Sequence, residues 1–272
     1  MRERLAEPLT IDDLATAAMF SRYHFSRLFR RLTGISPGRF LAAIRIQEAK
    51  RLLISTSLTV AAISTSVGYT SLGTFSSRFH RSVGISPAAY RRHRYPQALP
   101  TEQTTPARTG GATITGEVRT FCPRFAAPIF IGLFPDAIAE GRPASWAVMD
   151  RPGPYQLSGV TPGSWYLIAH SLRGRNVAAS DPDQIDQVTA VARYGPVRIA
   201  GGGSIQATEM TVRPPRDFDP PALLSLLDLP PQAVLRLRQE QERRHAIAPT
   251  PLTSIGSPAR ILSESIGSGT TW

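Results

Sequence analysis

Through the first ninety residues, apolar side chains recur at spacings of three and four, the signature of helices with one buried face. Leu9, Ile11, Leu14, Ala15 and Ala18 make one such stripe, and Val60, Ile63 and Val67 make another. After a short turn (Met19-Phe20 in one case, Gly68-Tyr69 in the other) a second helix is expected to begin at Ser21 or Ser71. Each of these second helices should stop at Gly34 or Gly84, because glycine takes the left-handed C-terminal cap without steric cost. Thr10 and Thr59 are natural N-caps, with Asp13 completing a capping-box start in the first unit. Between the units, Pro37–Ile54 places Phe40, Leu41, Ile44, Ile46, Ala49, Leu52 and Leu53 at helical spacing, with Pro37 suited to the first turn.

From Ala112 the period shortens to two. Ala112–Val118, Pro128–Phe134, Ser145–Met149, Tyr155–Val160, Ser164–His170, Val197–Ala200 and Ala207–Val212 read as short strands between Gly/Pro turns, the pattern of a β-sandwich. Arg173–Arg193, acidic through Asp181, Asp183 and Asp186, reads as a long polar loop. Leu223, Leu224, Leu226, Leu227 and Leu229 then crowd one short stretch, Pro231–Ile247 reads as an Arg/Glu-rich late helix, and Ala248–Trp272 has the composition of a disordered tail. The expected architecture is two-domain. An all-α tandem helix-turn-helix spans 1–95, with its units joined by a linker helix. A linker covers 96–111, a mainly β sandwich domain 112–215, a helical segment 220–247, and the tail 248–272.

The helical half contains an internal repeat. Ser21–Phe40 overlays Ser71–Tyr90 at an offset of 50, with nine identities in twenty positions, including Phe25/Phe75, Phe29/Phe79, Gly34/Gly84 and Ile35-Ser36-Pro37 over Ile85-Ser86-Pro87. One supersecondary unit has been built twice. Helix, tight turn, helix is the geometry that sets a second helix into a major groove. In the first copy Phe25, Leu28, Phe29 and Leu32 should face the core, leaving Arg22, Tyr23, Ser26, Arg27 and Arg30 outward. An eighteen-residue helix between the copies, at ~1.5 Å per residue, is roughly 27 Å long. That separation suits two recognition helices in successive grooves.

Charge sharpens this picture. Of 31 basic residues, all but Lys50 are arginine, and the chain carries a net +11. Residues 1–95 hold 15 basic against 5 acidic residues, whereas residues 96–272 hold 16 against 15. The excess sits on the helical module, as expected if that module meets a polyanion. A single cysteine, Cys122, excludes an intramolecular disulfide and a multi-cysteine zinc site. No metal or other cofactor is expected. The longest apolar stretch, Ala126–Phe134, is broken by Pro128 and Gly132 and is far short of a membrane span. The N-terminus lacks a signal-peptide core, so a cytoplasmic, nucleoid-associated protein without a membrane partner is expected.

Residues 1–95 resemble the DNA-binding domain of AraC/XylS transcription regulators. The resemblance rests on Leu14-Ala15, the run from Ser21 to Phe29, Gly34–Pro37, Arg45–Leu53, Gly68-Tyr69, Phe75, Phe79 and the run from Gly84 to Arg91. It implies a bacterial DNA-binding transcription factor, activator or repressor, that reads promoter DNA through two helix-turn-helix units. By position, Tyr23, Ser26 and Arg27 are implied as base readers in the first unit, and Thr74 and Ser77 in the second. Arg22, Arg30, Arg31, Arg78, Arg81, Arg91 and Arg92 are implied as phosphate contacts, which position a protein without specifying sequence. In the second unit Ser77 stands where the family has arginine. Arg78, one place later, overlays Leu28 and would have to leave a core-facing position to reach DNA. Sequence reading should therefore be dominated by the first unit.

Tyr155–Ala169 and Tyr194–Gly203 resemble transthyretin-like, carboxypeptidase-regulatory-like sandwiches, which implies a regulatory or interaction domain. Double-stranded DNA is the expected partner, and the resemblance admits RNA polymerase, a small effector and a second copy of the chain as others. Two alternatives stand beside a regulator. One is an architectural DNA binder without sequence preference. The other is a transthyretin-like hydrolase, for which the sandwich offers only His170 with Arg173 nearby. No HExxH, GxSxG, P-loop or GxGxxG fingerprint occurs in the sequence, so no enzyme is expected.

Overall fold

The computed structural model describes residues 1–92, 111–120, 128–172, 188–206 and 209–224, and Gln239. Nearly all of the expected linker, residues 173–187 of the expected polar loop, residues 225–238 and 240–247 of the expected helical segment, and the expected tail lie outside the described residues.

Six helices make the N-terminal half: α1 (Ile11–Ala17), α2 (Arg22–Thr33), α3 (Pro37–Ser55), α4 (Val60–Ser66), α5 (Leu72–Val83) and α6 (Pro87–Arg92). Local chemistry sets their ends. The Thr10 hydroxyl accepts from the Asp13 backbone N–H while the Asp13 carboxylate accepts from the Thr10 N–H, a full capping box. Ser21, Ser36, Thr59 and Ser71 cap α2, α3, α4 and α5 without the reciprocal bond, each side-chain oxygen accepting from the backbone N–H three residues on. Both α2 and α5 end on left-handed glycines, Gly34 at φ 83° and Gly84 at φ 95°. The turns between first and second helices differ: Gly68 supplies φ 83° in the second unit, but Met19 is forced to φ 57° in the first.

Packing of the two units is unequal. In α5, Phe75 and Phe79 are fully buried and stack edge-on or tilted with Tyr69, each other and Tyr90. Burial of each such ring is worth about 2–3 kcal/mol. In α2 only Thr33 is buried; Phe25, Leu28 and Phe29 are half-buried. Leu32, expected in the core, is 57% exposed. The central helix α3 is the hub, burying Phe40, Leu41, Ala43, Ile44, Ile46, Ala49 and Leu53 on several sides. It also buries Lys50, the chain's one lysine, whose ammonium lies 5.8 Å from the centre of the Tyr90 ring.

Among the described residues of the second half there are eight strands: β1 (Ala112–Thr120), β2 (Ile129–Phe134), β3 (Trp146–Met149), β4 (Gly153–Val160), β5 (Gly163–Leu172), β6 (Val188–Ile199), β7 (Ser204–Gln206) and β8 (Met210–Val212). One sheet runs β4-β1-β7, with β8 also paired to β1; the other runs β3-β2-β5-β6. Inward residues of both sheets share one core, with Ile114, Val118, Leu157 and Val160 from the first meeting Ile129, Ile131, Leu133, Leu167 and Ala169 from the second. The expected loop Arg173–Arg193 yields to strand from Val188 onward. Ala190–Arg193 pair with β5, and the strand runs on through Gly195 and Pro196, where the register shifts and the Gly195–Pro196 peptide is cis.

The second sheet is apolar on its outer face too. Phe130, Phe134, Val148 and Ile168 point away from the shared core and are covered by Ala139, Ala222 and Leu224. Next to this layer, Ala137, Ile138 and Leu223 enter the helical core alongside Phe40, Ile44, Phe75 and Phe79. The two halves of the chain are therefore packed together, through the β2–β3 loop and the strand-free segment 220–224.

Candidate nucleic-acid interface

Each second helix offers one face to the hydrophobic core and one to water. On α2, Arg22, Tyr23, Arg27, Arg30 and Arg31 are exposed, Tyr23 to 76%, and Ser26 is half-buried beside them. Arg22 lies 3.5 Å from Asp12, but both side chains are mostly in water, so the pair contributes little and leaves the guanidinium available. On α5, Thr74 and Ser77 are exposed, as are Arg81 and, at the end of α6, Arg92. The face that would enter a groove is thus arginine-rich on α2 and hydroxyl-rich on α5.

Two arginines expected at phosphates are engaged elsewhere. The Arg78 side chain is only 16% exposed and lies 3.0 Å from a Glu140 carboxylate oxygen. Because position 78 falls on the core side of the helix, its guanidinium turns to the β domain and not to a phosphate. Arg91 donates through Nε to the Leu53 carbonyl at 3.4 Å and through Nη2 to the Leu58 carbonyl. Those bonds fasten α6 to the end of α3 and to the connection that follows it.

Asp136, Glu140, Arg39, Ser82 and Arg193 were not singled out by the sequence, yet they organise the ground behind the recognition helices. Glu140 accepts from Arg39 at 2.6 Å, Arg78 at 3.0 Å and Ser82 Oγ at 3.0 Å. Arg39 also pairs with Asp136 at 2.7 Å. Burial works against the Arg39 charge, but the two carboxylates outweigh it and raise its pKa. Arg193 Nη1 donates to the carbonyls of Thr33, at the end of α2, and Ala137, at 2.6 and 3.0 Å. The available signal was an acidic pair four residues apart in a turn-rich segment of a chain whose first half is strongly basic.

His170, the one histidine of the β domain, is 3% exposed on the outer face of the second sheet. Burial pushes its pKa down to about 4, against a weaker opposing pull from Asp219. A neutral imidazole sealed in this way has no access to a substrate, and the hydrolase reading loses its one candidate base. Among the described residues no cluster of three or more His, Cys, Asp or Glu could hold a metal ion, and no helix is long and apolar enough to cross a membrane.

The module thus consists of two capped helix-turn-helix units in tandem about a central helix. Comparison with known proteins gives its kind: residues 14–93 match the helix-turn-helix domain family. The chain is 34% identical over 95 residues to YobQ, an uncharacterized HTH-type transcriptional regulator of Bacillus subtilis, covering 35% of this chain and 39% of that protein. It is 38% identical over 85 residues to the lactose operon transcription activator of Staphylococcus xylosus, covering 31% and 30%. Among solved structures, the DNA-binding domain of AdpA in complex with a target DNA is 38% identical, with 36% of this chain and 90% of that one covered at a TM-score of 0.34. An AraC-type regulator from Chromobacterium violaceum is 32% identical, with 37% and 87% covered at a TM-score of 0.34. The chain spans about two-fifths or less of the length of the two regulators it was matched to by sequence. The likeness to these proteins is confined to the N-terminal module, residues 14–93 of which match the helix-turn-helix domain model.

Proposed function

We propose that the chain is a sequence-specific, DNA-binding regulator of transcription that reads two successive major grooves, with α3 as the linker helix between its readers. The observation that carries this reading is the exposed Tyr23, Arg27, Arg30 and Arg31 face of α2, set on a rigid helix whose opposite side is committed to the core. Arg27 is the principal base reader, since a guanidinium pairs bidentately with guanine O6 and N7. Tyr23 and Ser26 assist it, Thr74 and Ser77 make weaker contacts from α5, and Arg22, Arg30, Arg31, Arg81 and Arg92 hold phosphates. In this reading the protein works in the cytoplasm on promoter DNA, RNA polymerase is the partner its DNA-bound state presents itself to, and the β domain modulates binding.

The test is selection of bound fragments from sheared genomic DNA at near-physiological salt, with the full chain and Arg27→Ala side by side. Enrichment of a few sites, reduced by the substitution by about 1–3 kcal/mol of discrimination at one base pair, is the expected result. Equal affinity for all fragments together with a steep salt dependence would instead make the protein an architectural binder.

A further inference from the structure

The two helix-turn-helix units are joined in sequence by α3, and the second packs back on that helix through the shared core and through Arg91, which holds the Leu53 and Leu58 carbonyls. The β domain supplies a second, independent joint. Segment 136–141 of the β2–β3 loop spans from one unit to the other. At the first unit, Ala137 sits against the end of α2, where a Cβ on Gly34 would lie 2.6 Å from that of Ala137. There Arg193 ties the Thr33 and Ala137 carbonyls together, with Nη1 at 2.6 and 3.0 Å. At the second unit, three residues further on, Glu140 takes Arg78 and Ser82 of α5, each at 3.0 Å. The Gly141 N–H donates to the Ser82 carbonyl at 2.8 Å. Asp136 and Glu140 both hold Arg39 in the first turn of α3, and the intervening Ala137 and Ile138 are buried in the helical core.

All of these contacts fall at the C-terminal halves of α2 and α5 or on α3. They leave Tyr23, Ser26, Arg27, Thr74 and Ser77 uncovered, so the loop does not mask the reading faces. What it does is close a triangle: α2 end, α5 and α3 start are fixed to one another through a chain segment other than α3. We infer that the β2–β3 loop is a strut that sets the relative pose of the two recognition helices, with Glu140 and Arg193 as positioning residues, and so restricts the protein to one spacing between its two half-sites. Successive base pairs are offset by about a tenth of a turn and about 3.4 Å. A locked pair of helices therefore loses register when a single base pair is inserted, whereas a hinged pair follows it.

This inference rests on the reading of α2 and α5 as DNA-contacting helices, and the experiment separates the two. Full-length protein, Glu140→Gln, and the double variant Glu140→Ala/Arg193→Ala are titrated against the selected site with its half-sites moved apart or together by one base pair. Helical circular dichroism checks that each is folded. Wild type should lose at least tenfold in affinity per base pair moved; the double variant should lose less than threefold, with Glu140→Gln between them. In parallel, spin labels at Thr16→Cys in α1 and Thr65→Cys in α4, on a Cys122→Ser background, report the distance between units without DNA. The distribution should be narrow in the wild type and broad in the double variant. An unchanged spacing profile, an unchanged distance distribution, or a gain in affinity at every spacing, which would mark the contact as inhibitory, overturns the strut. Failure of the wild type to bind any DNA would sink the functional reading instead, and the distances alone would then decide the strut.

Discussion

Ile138 belongs by sequence to the β domain and by packing to the helical one, and that makes Ile138→Ala a test of whether the two halves share one folding unit. The side chain is 2% exposed, in a cluster with Phe40, Ile44, Phe75 and Phe79. Truncating a buried isoleucine to alanine costs about 2–5 kcal/mol, from lost transfer free energy and the cavity left behind. The backbone here is pinned by the Gly141 and Leu223 N–H bonds to the Ser82 and Ala139 carbonyls, at 2.8 and 2.9 Å. The loop therefore cannot collapse fully into the gap, and a cost of about 3 kcal/mol is expected. For a chain of this size that corresponds to a fall in Tm of about 6–12 °C. Two probes divide the molecule cleanly. The helices α1–α6 lie in 1–92, and amide-exchange protection of α3 and α5, followed through the thermal transition, reports that half. Trp146 and Trp165 report the β domain, once Trp272 is replaced by phenylalanine. Both probes should move together in wild type and variant, at the same shifted midpoint. A helical transition that stays in place while only the tryptophan signal shifts would refute the shared core.

Two further changes probe local strain and charge. Met19→Gly should stabilise the protein by about 0.5–1 kcal/mol, seen as a higher urea midpoint. The left-handed backbone costs a side-chain-bearing residue roughly 1–2 kcal/mol and glycine returns about 0.5–1 of that as chain entropy. Met19 is 92% exposed, so no packing is lost; a lower midpoint would show that the thioether has a contact role. His170 should make the protein acid-sensitive. Its folded pKa of about 4 lies below the ordinary 6.5, so the unfolded chain binds the proton more readily. Stability is full above about pH 6.5 and falls by about 3 kcal/mol as the pH drops to about 4. Urea midpoints across that window should flatten in His170→Leu, and equal slopes in the two proteins would contradict the assignment.

The helical half was legible because its signals are local. Caps at Thr10, Ser21, Ser71, Gly34 and Gly84 satisfy backbone groups within four residues, and the repeat states the same unit twice. Periodicity could not reveal how completely each apolar face is covered. Leu32 has the spacing of a core residue yet stands in water, while its counterpart Ser82 is buried against Glu140. In the β half, the end of the expected loop Arg173–Arg193 lies inside a strand: β6 starts at Val188 and runs on through Gly195-Pro196, which it accommodates with a register shift against β5. Asp136 and Glu140 carry no signal of their own in the sequence beyond their spacing. Their partners Arg39 and Arg78 are 97 and 62 positions away, as the loop's place against the helices dictates, and no local pattern encodes that pairing.

The two units, nearly identical in plan, have been put to different uses by a one-position change. Where α2 carries Arg27 on its outer face and Leu28 toward the core, α5 carries Ser77 and Arg78. Moving the arginine by one residue rotates it by about 100° around the helix, from the exposed side to the side that faces the β domain. There it finds Glu140, and an arginine on the core side of a helix needs such a partner, since an unpaired buried charge would cost several kcal/mol. In the second unit the arginine is thereby an anchor. On the proposed function, sequence discrimination then rests mainly on α2, and α5 contributes position. On the same reading, a base reader needs its register held, and the Arg78–Glu140 pair is placed to hold it.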